Sequence, residues 1–161
     1  MTHFAAIAVL DVWPLSASLR SRMHLLAPDG AVVVRSRREE DGETVWGELP
    51  ELEKWPHLRN VLSRIMRLDQ HQNFEMGRVT IEMLEPGGVV PWHQPELGEW
   101  ATLHLPIVTN PRAMMYADCQ SMHLTAGVLT YVSNAVLCSE TNLGATPRIH
   151  LVIEVRATPR P

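Results

Sequence analysis

From Phe74 onward the hydrophobic pattern of this chain has a period of two, and that period limits what the chain can build. Val79, Ile81 and Met83 alternate with Arg78, Thr80 and Glu82 until Pro86, Gly87 and Gly88 break the run. Leu103, Leu105 and Ile107 alternate with Thr102, His104 and Pro106 before Asn110 and Pro111 turn the chain. Side chains two apart share a face of a strand, so each run has an apolar face to cover and a face that carries polar groups. Thr102 shares its face with His104, and Arg148 shares one with His150. Val89 to Trp92, Ala113 to Tyr116, Leu129 to Val132 and Ile149 to Val155 read as further short strands. Short strands punctuated by Gly, Pro and Asn predict a mainly β fold, a sandwich or jelly roll, with a few helices packed outside.

The N-terminal half reads differently. Residues 1–45 look like an elaboration of strand, short helix and hairpin. Ala31 to Val34 is a run rich in valine, Gly42 supplies a turn, and Thr44 to Trp46 returns as the partner strand. Residues 46–72 form a helical segment: Leu58, Val61, Leu62, Ile65 and Met66 recur at helical spacing. Pro56 stands near the first turn, where a helix tolerates it. Residues 73–157 are then the jelly-roll core, and residues 1–161 one domain.

Charge narrows the partners. Eighteen acidic residues against fourteen basic ones give a net charge of -4, which argues against the basic stripe a nucleic-acid surface needs. Arg35, Arg37 and Arg38 run at once into Glu39, Glu40 and Asp41, the pattern of a solvated hairpin tip. No stretch approaches the ~20 apolar residues of a membrane helix. Phe4 to Leu10 is apolar but short, lacks a preceding Lys or Arg and ends at Asp11, unlike a targeting segment. Two cysteines, Cys119 and Cys138, make a poor disulfide framework, so a reduced cytoplasmic setting is the expectation.

Four stretches carry a resemblance. They are LEPGGVVPWH ending in His93, LHLPIVTNP from Leu103 to Pro111, TPRIHLVIEV from Thr146 to Val155, and AGVLTYVSNAVLCSETN from Ala126 to Asn142. In this order and spacing they resemble the aspartyl/asparaginyl β-hydroxylase family of iron(II)/2-oxoglutarate oxygenases. The resemblance implies a double-stranded β-helix, the cupin-like jelly roll, and a small-molecule or peptide substrate. It places His93 at the first iron-ligand position and Cys138 at the second, where the family has histidine. A family carboxylate two residues after the first histidine falls here on Pro95, with Glu96 one residue later as a possible substitute ligand. Arg148 matches the arginine that receives the distal carboxylate of 2-oxoglutarate, and His104 a second contact to that co-substrate. The family's other arginine falls on Thr102, and its Glu and Trp fall on Val128 and Thr130.

Two functional readings follow. In one, Fe(II) sits on His93 and Cys138, with Glu96 if its loop allows, and 2-oxoglutarate sits on Arg148, His104 and Thr102. A thiolate there is softer than imidazole, adds negative charge and is itself oxidisable. In the other there is no cofactor. His93, His104 and Cys138 then serve acid–base or electrostatic catalysis of the cyclase or isomerase type, or the pocket only binds a ligand. Each residue also has a structural alternative. Arg148 buried against Glu82, Glu140 or Glu154 would simply brace the barrel, and Cys138 would be a small core residue.

Overall fold

Strands with one apolar face need a layer to cover it, and here the cover is helical. The computed structural model describes residues 3–22, 26, 30–40, 43–55, 57–72, 74–94 and 100–157. Along the chain run β1 (Phe4–Val9), α1 (Trp13–Ser21), β2 (Ala31–Glu40), β3 (Glu43–Glu48), a 3₁₀ turn (Pro50–Lys54) and α2 (Leu58–Gln72). Then come β4 (Phe74–Leu84), β5 (Val89–His93), β6 (Ala101–Val108), β7 (Ala113–Ala117), β8 (Gln120–Met122), β9 (Val128–Val132), β10 (Cys138–Asn142) and β11 (Arg148–Ala157). They form a seven-stranded sheet in the order β1-β9-β6-β11-β4-β2-β3 and a four-stranded sheet in the order β5-β10-β7-β8. Every pairing among the described residues is antiparallel. This is the mainly β jelly roll that the alternation predicts.

Leu58, Val61, Leu62 and Ile65 of α2 and Leu15 and Leu19 of α1 are buried in one cluster with Val79, Ile81, Leu103, Leu105, Ile149, Leu151 and Ile153 of the large sheet. Burying each such side chain stabilises the fold by roughly 1.5–3 kcal/mol. Met66 departs from the expected stripe and is 40% exposed. It lies about 100° beyond Ile65 around the helix, past the edge of the face that meets the sheet.

The opposite face of the large sheet looks toward the small one. Register aligns Thr80 with Val152 and Glu82 with His150 between β4 and β11. It aligns Val152 with His104 and Glu154 with Thr102 between β11 and β6. A second apolar cluster of Phe4, Met115, Ala117, Leu124, Val132 and Cys138 fills part of the space between the sheets.

Two strands fell outside the sequence pattern. β10 reads Cys-Ser-Glu-Thr-Asn, and a strand whose inner face meets a polar cavity carries no hydrophobic alternation to detect. β8 is three residues long, too short for a period. The N-terminal strands also join the main sheet, since β1 pairs with β9 and β2 with β4. Gly127, at φ +80, makes the first junction: a Cβ there would approach the Leu10 carbonyl oxygen to 2.6 Å. Among the described residues no helix is long and apolar enough to cross a membrane.

Candidate functional site

Between the sheets lies a cavity of about 210 Å³. Strand β4 contributes Arg78, Thr80 and Glu82, β6 contributes Thr102 and His104, and β11 contributes Val152 and Glu154. From across the gap come His93, Met115, Cys138 and Glu140, with Val132 and Ser133 beside them. Three of the residues singled out from the sequence, His93, His104 and Cys138, therefore share one cavity, and Thr102 lines it too. Arg148 is not among the lining residues, although its ion-pair partner Glu140 is. Pro95 and Glu96 lie outside the described residues.

His93 ends β5 and Cys138 begins β10, and the two are direct cross-strand partners. Such partners have Cα atoms about 4.5–5.5 Å apart, close enough for two ligands of one ion. Their chemistry differs. His93 is exposed, and its Nδ1 lies 2.9 Å from the Pro91 carbonyl oxygen. A carbonyl only accepts, which puts a ring proton on Nδ1; in the neutral form of the ring the lone pair is then on Nε2. Cys138 is buried and donates its S–H toward the carbonyls of Ser133 at 3.4 Å and Val136 at 3.5 Å. Burial pushes the thiol pKa up, so Cys138 is a protonated, core-packed thiol at neutral pH.

Arg148 is 2% exposed, and its Nη1 donates to Glu140 Oε2 in a buried ion pair. Burial draws its pKa down to about 10, with Glu82 opposing the drop. The guanidinium stays charged at neutral pH. Its Nε has no partner among the described residues.

His104 and His150 stand edge to face beside it, with ring centroids 5.8 Å apart and planes at 82°. Burial and then the Arg148 charge pull His104 down to about 3. Burial, then Arg148, His104 and His123, pull His150 well below the ordinary histidine value. Both rings are therefore neutral. His104 Nδ1 and both nitrogens of His150 are without partners among the described residues. Thr102 Oγ1 turns aside to donate to the Val132 carbonyl at 3.4 Å.

Glu82 and Glu140 entered the sequence reading only as possible counter-ions for Arg148, yet both wall the cavity. Their signal was position: Glu82 on the polar face of β4, Glu140 two residues after Cys138 on one strand face. Glu140 takes the guanidinium. Glu82 is half-buried, and burial raises its pKa while Arg148 and His93 pull it back. Among the described residues, no three His, Cys, Asp or Glu side chains are grouped so as to hold a metal ion.

Residues 44–158 match the family model described as aspartyl/asparaginyl beta-hydroxylase. No curated protein matches the chain. Among solved structures the fold is similar to AviO1 from Streptomyces viridochromogenes Tue57, at TM-score 0.62 and 18% identity over 99% of this chain and 93% of that one. It is also similar to the viral collagen prolyl hydroxylase of Paramecium bursaria Chlorella virus-1, solved with 2OG, at TM-score 0.59 and 11% identity over 98% and 97% of the two chains. A third is the non-heme alpha-ketoglutarate-dependent epimerase SnoN from nogalamycin biosynthesis, at TM-score 0.60 and 15% identity over 96% and 76%. At these identities the likeness is one of fold.

Proposed function

This chain belongs to the aspartyl/asparaginyl β-hydroxylase family, and from that premise we propose a small-molecule or peptide tailoring enzyme whose site has turned from the family's cofactor chemistry to metal-independent acid–base work. The observation that carries this is the buried Arg148–Glu140 ion pair. An arginine that receives the carboxylate of a keto acid offers its fork of donors to it, and here Glu140 of the same protein already holds Nη1. A dianionic keto acid beside Glu140 would meet like charge at low dielectric.

The donor set fits the family's iron poorly as well. Cys138 would have to lose its proton and leave two carbonyl contacts to become a ligand, against the direction in which burial moves it. The roles left to the chain's own residues are local. His93 Nε2 offers a lone pair at the cavity mouth. Neutral His104 offers hydrogen bonding without charge, and Cys138 offers an apolar wall.

The test is iron and co-substrate stoichiometry. Protein purified with Fe(II) under anaerobic conditions is expected to hold far less than one iron per chain and to release no succinate from 2-oxoglutarate. Cys138→His is expected not to restore turnover, because Pro95, Thr102 and the Arg148–Glu140 pair remain. The direct pairing of His93 with Cys138 favours a second reading, in which iron is retained on these two residues, with Glu96, and 2-oxoglutarate on Arg148. Stoichiometric iron with succinate formation selects that reading and discards the first.

A further inference from the structure

We infer that the cavity binds a primary ammonium group, with the Glu82 carboxylate as its counter-ion. The inference rests on the metal-independent reading above and supplies its ligand class. Three carboxylates face the cavity, from Glu82, Glu140 and Glu154, against one lining guanidinium, from Arg78. Glu140 is committed to Arg148. Glu154 lies 3.8 Å from the Nε of Arg78. Glu82, half-buried in the wall of the site, makes no hydrogen bond or ion pair with any described residue and meets Arg148 and His93 only through their charge. Those charges offset only part of the cost of its burial, so a cation that reaches this carboxylate is still favoured.

Independent observations point the same way. His104 lines the same cavity, is 5% exposed, and has an unpartnered Nδ1. It is a neutral ring with polar capacity that no described residue uses. Thr102, opposite Glu154 in the β6–β11 register, donates its hydroxyl to the Val132 carbonyl and brings no charge to the cavity. The volume, about 210 Å³, falls below the ~300 Å³ at which drug-sized pockets begin. It suits an ammonium on a short aliphatic chain, carried either by a free amine or by a lysine side chain.

The experiment compares four probes on the full chain by isothermal titration calorimetry: n-butylammonium chloride, sodium butyrate, Nα-acetyl-lysine methylamide and 2-oxoglutarate. We expect saturable binding of butylammonium and none of butyrate. Glu82→Gln is expected to weaken butylammonium binding by roughly tenfold or more, while the surface control Glu53→Gln leaves it unchanged. Should Glu82→Gln fail to fold by circular dichroism, Glu82→Asp replaces it, with weaker binding and the preference over butyrate kept. Capped lysine binding at least as tightly as butylammonium identifies a lysine side chain as the source, and its exclusion identifies a free amine. Butyrate binding as well as butylammonium, or an unchanged affinity in the Glu82 variant, overturns the inference. If no probe binds, this inference falls and the metal-independent reading stands. If 2-oxoglutarate alone binds, both fall.

Discussion

At the scale of single residues the pocket is governed by polar groups held away from water. Removing one member of the Arg148–Glu140 pair strands the other charge, so Glu140→Ala is expected to cost about 3–5 kcal/mol in urea unfolding. Arg148→Met with Glu140→Leu, which removes both charges, is expected to cost far less. The buried histidines give the molecule an acid-sensitive edge. His104, at about 3, and His150, also lowered, remain neutral when folded, while the unfolded chain takes up protons near pH 6.5. Below that pH the unfolded state binds more protons, so their contribution is full above pH 6.5 and is lost as pH falls. For His104 the loss continues toward about 3. Each adds a slope of about 1.4 kcal/mol per pH unit, and His150→Phe is expected to remove one proton from the stability slope between pH 6.5 and 5. The two thiols should separate cleanly. Cys119 is exposed and Cys138 buried, so an aromatic disulfide reagent is expected to titrate one thiol in the native protein and two in denaturant.

At the scale of elements, a buried asparagine sets where β11 begins. Asn142, wholly buried at the end of β10, donates to the Leu84 carbonyl at 2.8 Å and the Thr146 carbonyl at 3.0 Å. Its Oδ1 accepts from Gly144 N at 3.2 Å and from Asn110 Nδ2 at 3.0 Å. These bonds fix the turn that leads into Arg148 at the start of β11. A Cβ on Gly144 would collide with the Asn110 amide, so the turn also needs glycine. Asn142→Ala removes four hydrogen bonds at about 0.5–1.5 kcal/mol each; a loss of about 3 kcal/mol or more by denaturation is expected. In α2, Ile65→Ala is expected to cost about 2–5 kcal/mol and Met66→Ala to stay within about 0.5 kcal/mol. That difference measures which side of the helix the sheet covers.

At the scale of the whole molecule, the N-terminal strands are members of the large sheet. Removing residues 1–73 would uncover β4 on one side and β9 on the other, and would strip the helices from the apolar face that β4, β6 and β11 share. Exposed edges and an open hydrophobic face favour aggregation. A chain of residues 74–157 alone is expected to be insoluble or to lack a cooperative transition. The full chain is expected to melt in one step, with tryptophan fluorescence and circular dichroism coincident.

The sequence by itself determined the sheet. Alternation in β4, β6 and β11 gives strand, face and cover at once, because a period of two is a local property of the backbone. It also determined the stripe of α2 and the family, whose marks at His93, Cys138 and Arg148 are spacings along the chain. It did not determine what those side chains do. Cys138 is equally compatible in sequence with a ligand and a core residue, and the clustering of Phe4, Met115 and Leu124 around it made it a protonated core thiol. Arg148 had three acidic candidates within reach of inference, and the packing of β10 against β5 and β7 gave it Glu140. The same packing left Glu82 in the cavity wall with no hydrogen bond or ion pair among the described residues, under the charge of Arg148. Pairings of this kind depend on distance and desolvation between strands remote in sequence, and those quantities exist only once the two sheets close on each other.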